Sequence, residues 1–290
     1  MDISFAIVNW QGGSVFEKCI ASIHNVIENS SLQCEIVVVD NGSEYGDTAF
    51  LKDDENVILI RNQTNVGFAK GTNQSIEKCQ GRYLFILNND VIIQSSDVDG
   101  ILKFMEENPD VGVLAPKLIY PDGRLQKSIS GLPTLFDIFC FTFKLSRIHS
   151  DWDRWQRSDF DYSKIEDAPQ PMFSALFMRK AVWDEVGALD ERFPILFNDV
   201  DWFFRFQKLK KWRCLYYPYF TCIHYHKMSV DRRIFKKVYY QATGLYKYFI
   251  KNHNLRFPTH VFLVLLCLSI FSGKLVIEPL KKISRVLGIG

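Results

Sequence analysis

The sequence lacks a cysteine framework, although seven cysteines are scattered through its 290 residues. Their number is odd and no two form a CxxC pair, which argues against a zinc cluster or a disulfide scaffold. Unpaired cysteines are typical of proteins that stay in a reducing compartment. The cysteines are Cys19, Cys34, Cys79, Cys140, Cys214, Cys222 and Cys267.

A strong excess of charge of one sign is also missing, because 35 Lys and Arg residues face 33 Asp and Glu residues, for a net charge of +2. This balance argues against a nucleic-acid-binding protein, whose basic excess is usually larger and clustered. The first residues contain neither the basic segment nor the cleavage site of a signal peptide. We therefore expect a cytoplasmic location.

Short apolar runs alternate with amphipathic segments in the first half of the chain. Val15–Ile27 has apolar residues at helical spacing, and a second helix is predicted after Gly67. Such a series predicts an α/β fold with a mixed, mostly parallel central sheet and helices on both faces. Ligands of these sheets bind at the carboxyl ends of the strands. The apolar runs are Ile3–Asn9, Glu35–Val39, Val57–Ile60 and Tyr83–Leu87.

The second half of the chain is less regular. Residues 131–171 mix aromatic and charged residues without clear periodicity, and we interpret them as an insertion that shapes an acceptor site or contacts a partner. We expect residues 1–250 to form the main domain and residues 251–290 a helical tail. The other predicted elements are a hairpin from Val111–Tyr120 through Pro121, strands at Met172–Met178, Trp212–Pro218 and Tyr219–His224, and helices at Asp97–Asn108, Lys180–Val186 and Asp231–Lys251.

Polar residues follow three of the predicted strands. Trp10 comes after the first strand, and Asp40 after the second, where its carboxylate can accept hydrogen bonds from a base or a ribose or simply form an Asx turn. Asn88, Asn89 and Asp90 follow the fourth strand. Asp90 offers the oxygen ligand that Mg²⁺ or Mn²⁺ prefers, with an ordinary turn as the alternative.

Two carboxylates, Asp199 and Asp201, open an amphipathic helix. They can be ordinary helix-start residues, because the helix dipole stabilises negative charges near the amino-terminal end of a helix. Alternatively, one of them is a general base within reach of an acceptor hydroxyl. His224 follows an apolar strand, where a histidine is usually structural but can also be a metal ligand.

In combination, these motifs resemble family 2 glycosyltransferases, of the bacterial rhamnosyltransferase-like branch. Each motif is short, but they occur in the order and spacing of the family over residues 3–250. The matching segments are Val8–Gln11, Val39–Ser43, Asn65–Asn73, Leu87–Asp90, Gly187–Phe193 and Asn198–Asp201, followed by Pro218 and His224.

The resemblance implies a GT-A fold, a nucleotide diphosphate sugar as donor, with UDP or dTDP expected, and Mg²⁺ or Mn²⁺ as cofactor. Asp199 matches the catalytic base, and Asp90 and His224 match positions on the metal side. Trp10 and Asp40 match positions that hold the nucleoside. The other residues that the resemblance assigns to the nucleotide sugar are Asn41, Gly67, Asn73, Asn88, Asn89 and Arg205.

The sequence also departs from the family pattern. Asn88 and Asn89 replace carboxylates of stricter members, so we expect metal affinity to depend on the donor diphosphate. Asn198 replaces a Glu, which removes a negative charge that would raise the pKa of Asp199. A Gly-Ala pair that marks the acceptor strand in the family is not clear at Phe173–Ala175.

We therefore expect an inverting glycosyltransferase that acts by a single displacement on a saccharide hydroxyl in cell-surface polysaccharide synthesis. A nucleotide-dependent dehydrogenase is a first alternative, but no GxGxxG follows the first strand. A catalytically weak sugar- or partner-binding module on the same fold is the second, and the replacements at Asn88 and Asn89 keep it open.

The tail leaves three alternatives. Val261–Phe271 is apolar but shorter than the ~20 residues that cross a bilayer. Leu275–Leu287 combines apolar residues with Lys281, Lys282 and Arg285, as an interfacial helix does. The tail can pack on the main domain, form a dimer contact, or lie on the inner face of the cell membrane close to a lipid-linked acceptor.

Overall fold

The structure is a computed structural model that describes residues 1–44, 47–95, 97–145, 148–225 and 234–272. Within these residues a nine-stranded mixed sheet separates two helical layers, and a two-stranded ladder lies beside it. The strands are β1 (Ile3–Asn9), β2 (Cys34–Asp40), β3 (Val57–Arg61), β4 (Tyr83–Asn88), β5 (Val91–Ile93), β6 (Val111–Ile119), β7 (Ile129–Ser130), β8 (Glu166–Asp167), β9 (Gln170–Pro171), β10 (Ala175–Arg179) and β11 (Arg213–His224). The helices are α1 (Gly13–Glu28), α2 (Phe68–Lys78), α3 (Val98–Glu107), α4 (Leu135–Thr142), α5 (Lys180–Val186), α6 (Asn198–Leu209), α7 (Ile234–Asn252) and α8 (Phe257–Ser272).

One half of the sheet is parallel, in the order β3-β2-β1-β4. Asn9 at the end of β1 is level with Asp40 at the end of β2, and Val8 is level with Asn88 of β4. The carboxyl ends of these strands therefore meet at one edge of the sheet. The mixed sheet predicted from the strand–helix alternation is confirmed, and its polar strand ends converge as expected.

Antiparallel pairing dominates the other half of the sheet. β10 lies between β4 and β6 and starts with Ala175 opposite Leu87, so its first residue lies at the carboxyl end of β4. β11 runs parallel to β6 and pairs His224 with Val91 of β5. This pairing brings His224, which is distant in sequence, next to Asp90.

Side chains alternate along the strands and so contribute to the apolar clusters on both faces of the sheet. Phe5 and Phe85 belong to the cluster under α1 and α3, whereas their neighbours Ala6 and Leu84 belong to the cluster under α2, α5 and α6. Successive residues of a strand point to opposite faces. Strands buried on both faces need apolar residues throughout, which explains the continuous apolar runs in the sequence.

The structure differs from the predicted elements in several places. Trp212–Pro218 and Tyr219–His224 form a single strand, β11, whose register shifts between Tyr217 and Thr221. Pro218 lies at this irregularity, where its missing N–H removes a donor from the ladder without ending the strand. β5 was not predicted, because only three apolar residues follow Asp90. The strand predicted at Met172–Met178 begins at Ala175.

A third apolar cluster joins the insertion and the C-terminal helices to the start of α6. It contains Ile138 of α4, Phe197 and Val200 at the start of α6, and Leu263 of α8. The apolar run of the tail therefore packs on one side against the rest of the protein. No helix among the described residues is both long and apolar enough to cross a bilayer. The predicted amphipathic segment Leu275–Leu287 lies outside the described residues.

Candidate active site

The ends of β1 and β4 are joined by a buried amide pair. The Asn89 Nδ2 group donates to Asn9 Oδ1 at 2.8 Å, and both residues are almost completely buried. Gly12 lies against this pair, and a Cβ atom built there would come within 2.6 Å of both side chains. Only glycine fits at this point of the turn between β1 and α1. The two strand ends are thus held in a fixed arrangement.

Asp47 closes the amino-terminal end of α1. Its carboxylate accepts hydrogen bonds from the backbone N–H groups of Gly12 at 3.1 Å and Gly13 at 2.8 Å, and from Asn9 Nδ2 at 2.7 Å. In dinucleotide-binding proteins a helix start of this kind binds phosphate. Here the chain's own carboxylate takes these donors and would repel a phosphate. We therefore expect donor phosphates to bind elsewhere.

The predicted nucleoside position at the end of β2 forms a compact turn. The Asp40 side chain accepts from Ser43 N–H at 3.1 Å and from the Thr48 hydroxyl at 3.4 Å, and it is buried. Trp10, the other predicted nucleoside contact, is half-buried at the neighbouring strand end. Asp40 therefore forms the turn that was weighed as its alternative role, and its contact with a nucleoside stays a prediction.

The residues predicted around Gly67 organise the start of α2. Asn41, only 2% exposed, donates to the Gly67 carbonyl at 3.0 Å and accepts from Val66 N–H at 3.1 Å. Gly67 has a φ of 92°, and a Cβ atom there would meet Pro194 at 2.9 Å. Asn73 exchanges two hydrogen bonds of 2.9 Å with the backbone of Leu189. These contacts tie α2 to the segment that precedes α6.

Asp90 and His224 face each other in the interior, each 3% exposed, with 3.3 Å between Asp90 Oδ1 and His224 Nε2. His224 Nδ1 lies 2.9 Å from Gln126 Oε1. An amide oxygen only accepts hydrogen bonds, so a His224 ring bonded to Gln126 Oε1 donates from Nδ1 and presents Nε2 to Asp90. Asp90 Oδ1 accepts no hydrogen bond from the described residues.

Asp90 Oδ1 and His224 Nε2 at this separation fit a shared divalent cation, with Gln126 orienting the imidazole as outer-shell groups of metal sites do. The described residues hold no group of three or more His, Cys, Asp or Glu side chains that could bind a metal. Asp90 and His224 therefore supply at most part of a coordination shell. Mg²⁺ and Mn²⁺ commonly bind in this manner, with few protein ligands and with substrate phosphates and water as the remainder. The neighbouring Asn88 is half-buried, and its backbone N–H donates to the Ser174 carbonyl at the start of β10.

Asp199 lies in the first turn of α6. One carboxylate oxygen accepts from Val200 N–H at 2.8 Å, and the other faces Gln170 Nε2 at 3.3 Å. Burial raises the pKa of Asp199, while hydrogen bonds from backbone N–H groups and Gln170 lower it by a smaller amount. A carboxylate with a raised pKa accepts a proton more readily, as a general base requires.

Gln126 and Gln170, which the sequence analysis did not identify, connect these two parts of the site. Gln170 belongs to β9, which pairs with β7, and Gln126 lies three residues before β7. One glutamine contacts His224 and the other contacts Asp199. Their side chains are 2% and 4% exposed. No motif or periodic pattern in the sequence marks either glutamine.

Asp201 and Arg205 have internal structural partners. Asp201 is fully buried and contacts Arg205 Nε at 3.1 Å and Lys251 Nζ at 2.7 Å. Arg205 also donates to the carbonyl groups of Val186 and Ala188. These contacts hold α6 against α7 and the segment after α5. The predicted contact of Arg205 with the donor remains untested.

Comparison with known proteins gives an independent line of information. Residues 4–184 match the family model described as glycosyl transferase family 2. The N-acetylglucosaminyl-diphospho-decaprenol L-rhamnosyltransferase of Mycobacterium tuberculosis is 24% identical over 247 residues, which cover 78% of this chain and 76% of that protein.

Solved structures of S. aureus TarS share the fold. TarS 1–349 superposes with a TM-score of 0.54 at 14% identity, over 95% of this chain and 73% of TarS 1–349. The same protein in complex with UDP-GlcNAc gives a TM-score of 0.53 at 15% identity, over 94% and 73% of the two chains.

Proposed function

This chain belongs to glycosyl transferase family 2, and from that premise we propose that it transfers a sugar from a nucleotide diphosphate to a saccharide hydroxyl with inversion at the anomeric carbon. Its activity as a nucleotide-sugar glycosyltransferase follows from the family, and the predicted GT-A fold is confirmed. The observation that carries the proposed mechanism is the Asp199 carboxylate, whose pKa is raised by burial at the start of α6.

The proposed reaction is a single displacement. The acceptor hydroxyl oxygen forms a bond to the anomeric carbon, the bond from that carbon to the diphosphate oxygen breaks, and Asp199 takes the hydroxyl proton. Gln170 holds the Asp199 oxygen that faces it and so limits the rotation of the carboxylate. The leaving group is the nucleoside diphosphate. No covalent intermediate forms, and the anomeric configuration inverts.

Charge on the diphosphate requires a positive partner. Asp90 and His224 would hold Mg²⁺ or Mn²⁺, which when bound supplies positive charge to the leaving diphosphate. The Asp47 carboxylate at the start of α1 keeps phosphate away from that end of the site. We propose that Asp40 and Trp10 contact the nucleoside from the end of the parallel strands.

The comparisons support a choice of donor and acceptor. A TarS structure holds UDP-GlcNAc, which supports a nucleotide-sugar donor, and we propose a UDP- or dTDP-sugar. The acceptor of that relative is a sugar attached through diphosphate to a polyprenol. We propose a lipid-linked saccharide acceptor here as well, used in cell-surface polysaccharide synthesis at the inner face of the membrane.

A thermal-shift panel of UDP- and dTDP-sugars, with and without Mn²⁺, tests the donor. A ligand at about 100 times its Kd stabilises the native state by about 2.7 kcal/mol, which is readily measured. We expect stabilisation by one nucleotide family that depends on Mn²⁺, together with slow donor hydrolysis. Donor binding without hydrolysis or transfer to any acceptor would favour the sugar-binding module instead. An absence of shift with every nucleotide sugar would contradict the proposal.

A further inference from the structure

Helix α8 is apolar on all sides, but the described residues cover it on only one side. Between Phe257 and Ser272 it contains no Asp, Glu, Lys or Arg. Leu263 and Leu266 are 0% and 3% exposed within the third apolar cluster, whereas Leu265 and Leu268 are 59% and 58% exposed. A helix that is hydrophobic all round is normally buried. The uncovered face of α8 therefore requires a further apolar neighbour.

Helix α4 of the insertion extends this uncovered face. The rings of Phe139 on α4 and Phe262 on α8 lie 6.0 Å apart, and Phe143 packs on Phe139 with 4.9 Å between ring centroids. Phe136 and Phe143 are 46% and 54% exposed. We define the α4–α8 surface as Phe136, Phe139, Phe143, Phe262, Leu265 and Leu268. Exposed apolar residues that cluster in this way mark interaction sites.

We propose that the α4–α8 surface lies on an anionic lipid membrane, an inference that rests on the lipid-linked acceptor proposed above. The charge of the chain that directly follows α8 favours this partner. Residues 273–290 contain Lys274, Lys281, Lys282 and Arg285 and a single acid, Glu278, so four positive charges minus one negative charge leave +3. Basic residues beside an apolar face bind anionic lipid.

The position of the surface relative to Asp199 agrees with a lipid-linked acceptor. The covered sides of the same two helices, through Ile138 on α4 and Leu266 on α8, join the cluster that contains Phe197 and Val200. Phe197 directly precedes α6, and Val200 lies in the first turn of α6, which also carries Asp199. The helices α4 and α8 with their covered side chains therefore lie between the α4–α8 surface and the start of α6. A membrane on that surface would lie one helical layer away from the start of α6.

Vesicle flotation of the full chain tests the proposal. We expect the protein to float with vesicles of equal parts phosphatidylcholine and phosphatidylglycerol, and to bind less at high salt or to phosphatidylcholine alone. The double substitution Phe143→Ser and Leu268→Ser removes two exposed apolar side chains and should weaken binding by about tenfold or more. Ile58→Ser on β3, where the side chain is 39% exposed, is the matched control and should bind like the unmodified protein.

Several results would overturn the proposal. They are an absence of flotation with anionic vesicles, equal flotation of the double variant, or a dimer in solution that the double variant dissociates while no form floats. Donor hydrolysis, measured without lipid, separates this proposal from the proposed function. We expect it to be unchanged in the double variant. A protein that floats but neither binds nor hydrolyses any nucleotide sugar would refute the function and leave the surface assignment standing.

Discussion

Replacing Asp199 by Asn is expected to remove catalysis while leaving the fold and donor binding in place. The amide has the shape of the carboxylate but does not accept a proton at neutral pH. Loss of a general base typically slows a reaction by about 10²–10⁴-fold, which is about 3 to 5 kcal/mol in activation free energy. Because the proposed donor contacts Trp10, Asp40, Asp90 and His224 lie at strand ends and not on α6, the Mn²⁺-dependent affinity for the donor should change little.

The same substitution is expected to keep or raise thermal stability at neutral pH. Burial raises the pKa of Asp199 above the ordinary value of 3.8, so the charged form opposes folding once the pH exceeds that ordinary value. The substituted amide would carry no charge and avoid this cost. Gln170 would have to turn its own amide toward the new NH₂ group and lose its 3.0 Å bond to the Pro171 carbonyl, which offsets part of the gain.

The assay compares initial transfer rates and melting temperatures of both proteins from pH 4 to pH 8. The melting temperature of Asp199→Asn should rise relative to that of the unmodified protein as the pH increases. Asp201→Asn provides the contrast, because it removes the charge of a fully buried carboxylate that pairs with the partly exposed Lys251 and Arg205. Such a loss costs about 1–3 kcal/mol of stability. Wild-type turnover in Asp199→Asn would show that the base lies elsewhere. A melting temperature that falls as in Asp201→Asn would show that Asp199 supports the fold.

Two further predictions concern the proposed cation ligands Asp90 and His224 and the glutamine that contacts Asp199. Asp90→Ala should abolish, and His224→Ala should weaken, the Mn²⁺-dependent part of nucleoside diphosphate affinity measured by calorimetry, because Asp90 Oδ1 and His224 Nε2 lie 3.3 Å apart, where they can share a cation. An unchanged dependence on Mn²⁺ in Asp90→Ala would remove it from the site. Gln170→Leu removes a donor that lowers the pKa of Asp199, so the acid limb of the kcat/KM profile should move to higher pH with the alkaline plateau nearly retained. Gln207→Leu, which loses only a bond to the Pro169 carbonyl, should leave that limb in place.

The parallel half of the sheet was predictable from sequence because each of its strands is marked by its own short run of apolar residues. Continuous apolar runs define β1, β2, β3 and β4, and parallel pairing brings their carboxyl ends to one edge. The proximity of Asn9, Asp40 and Asn89 follows from these two facts. No long-range pairing has to be known to obtain this part of the site.

The other half depends on pairings that leave little trace in the sequence. Gln126 is 98 residues from His224, and Gln170 is 29 residues from Asp199. Both glutamines act through tertiary contacts, and neither belongs to a motif or to a regular hydrophobic pattern. The covered and uncovered faces of α8 could not be distinguished either, because Phe257–Ser272 is apolar at almost every position. Only the packing of α8 on α4 and α7 decides which of its faces is covered.

The ion pairs around Asp201 show why the C-terminal helices matter for the proposed base. Lys251 Nζ contacts Asp201 Oδ1 and Asp190 Oδ2, each at 2.7 Å, and Asn252 donates to Asp201 at 2.9 Å. These contacts cross the predicted domain boundary at residue 250 and fix the same first turn of α6 that carries Asp199. Since α8 packs on α7, a membrane held at the α4–α8 surface is connected to α6 by direct contacts. The tail thereby contributes to the placement of Asp199 as well as to the proposed location of the enzyme.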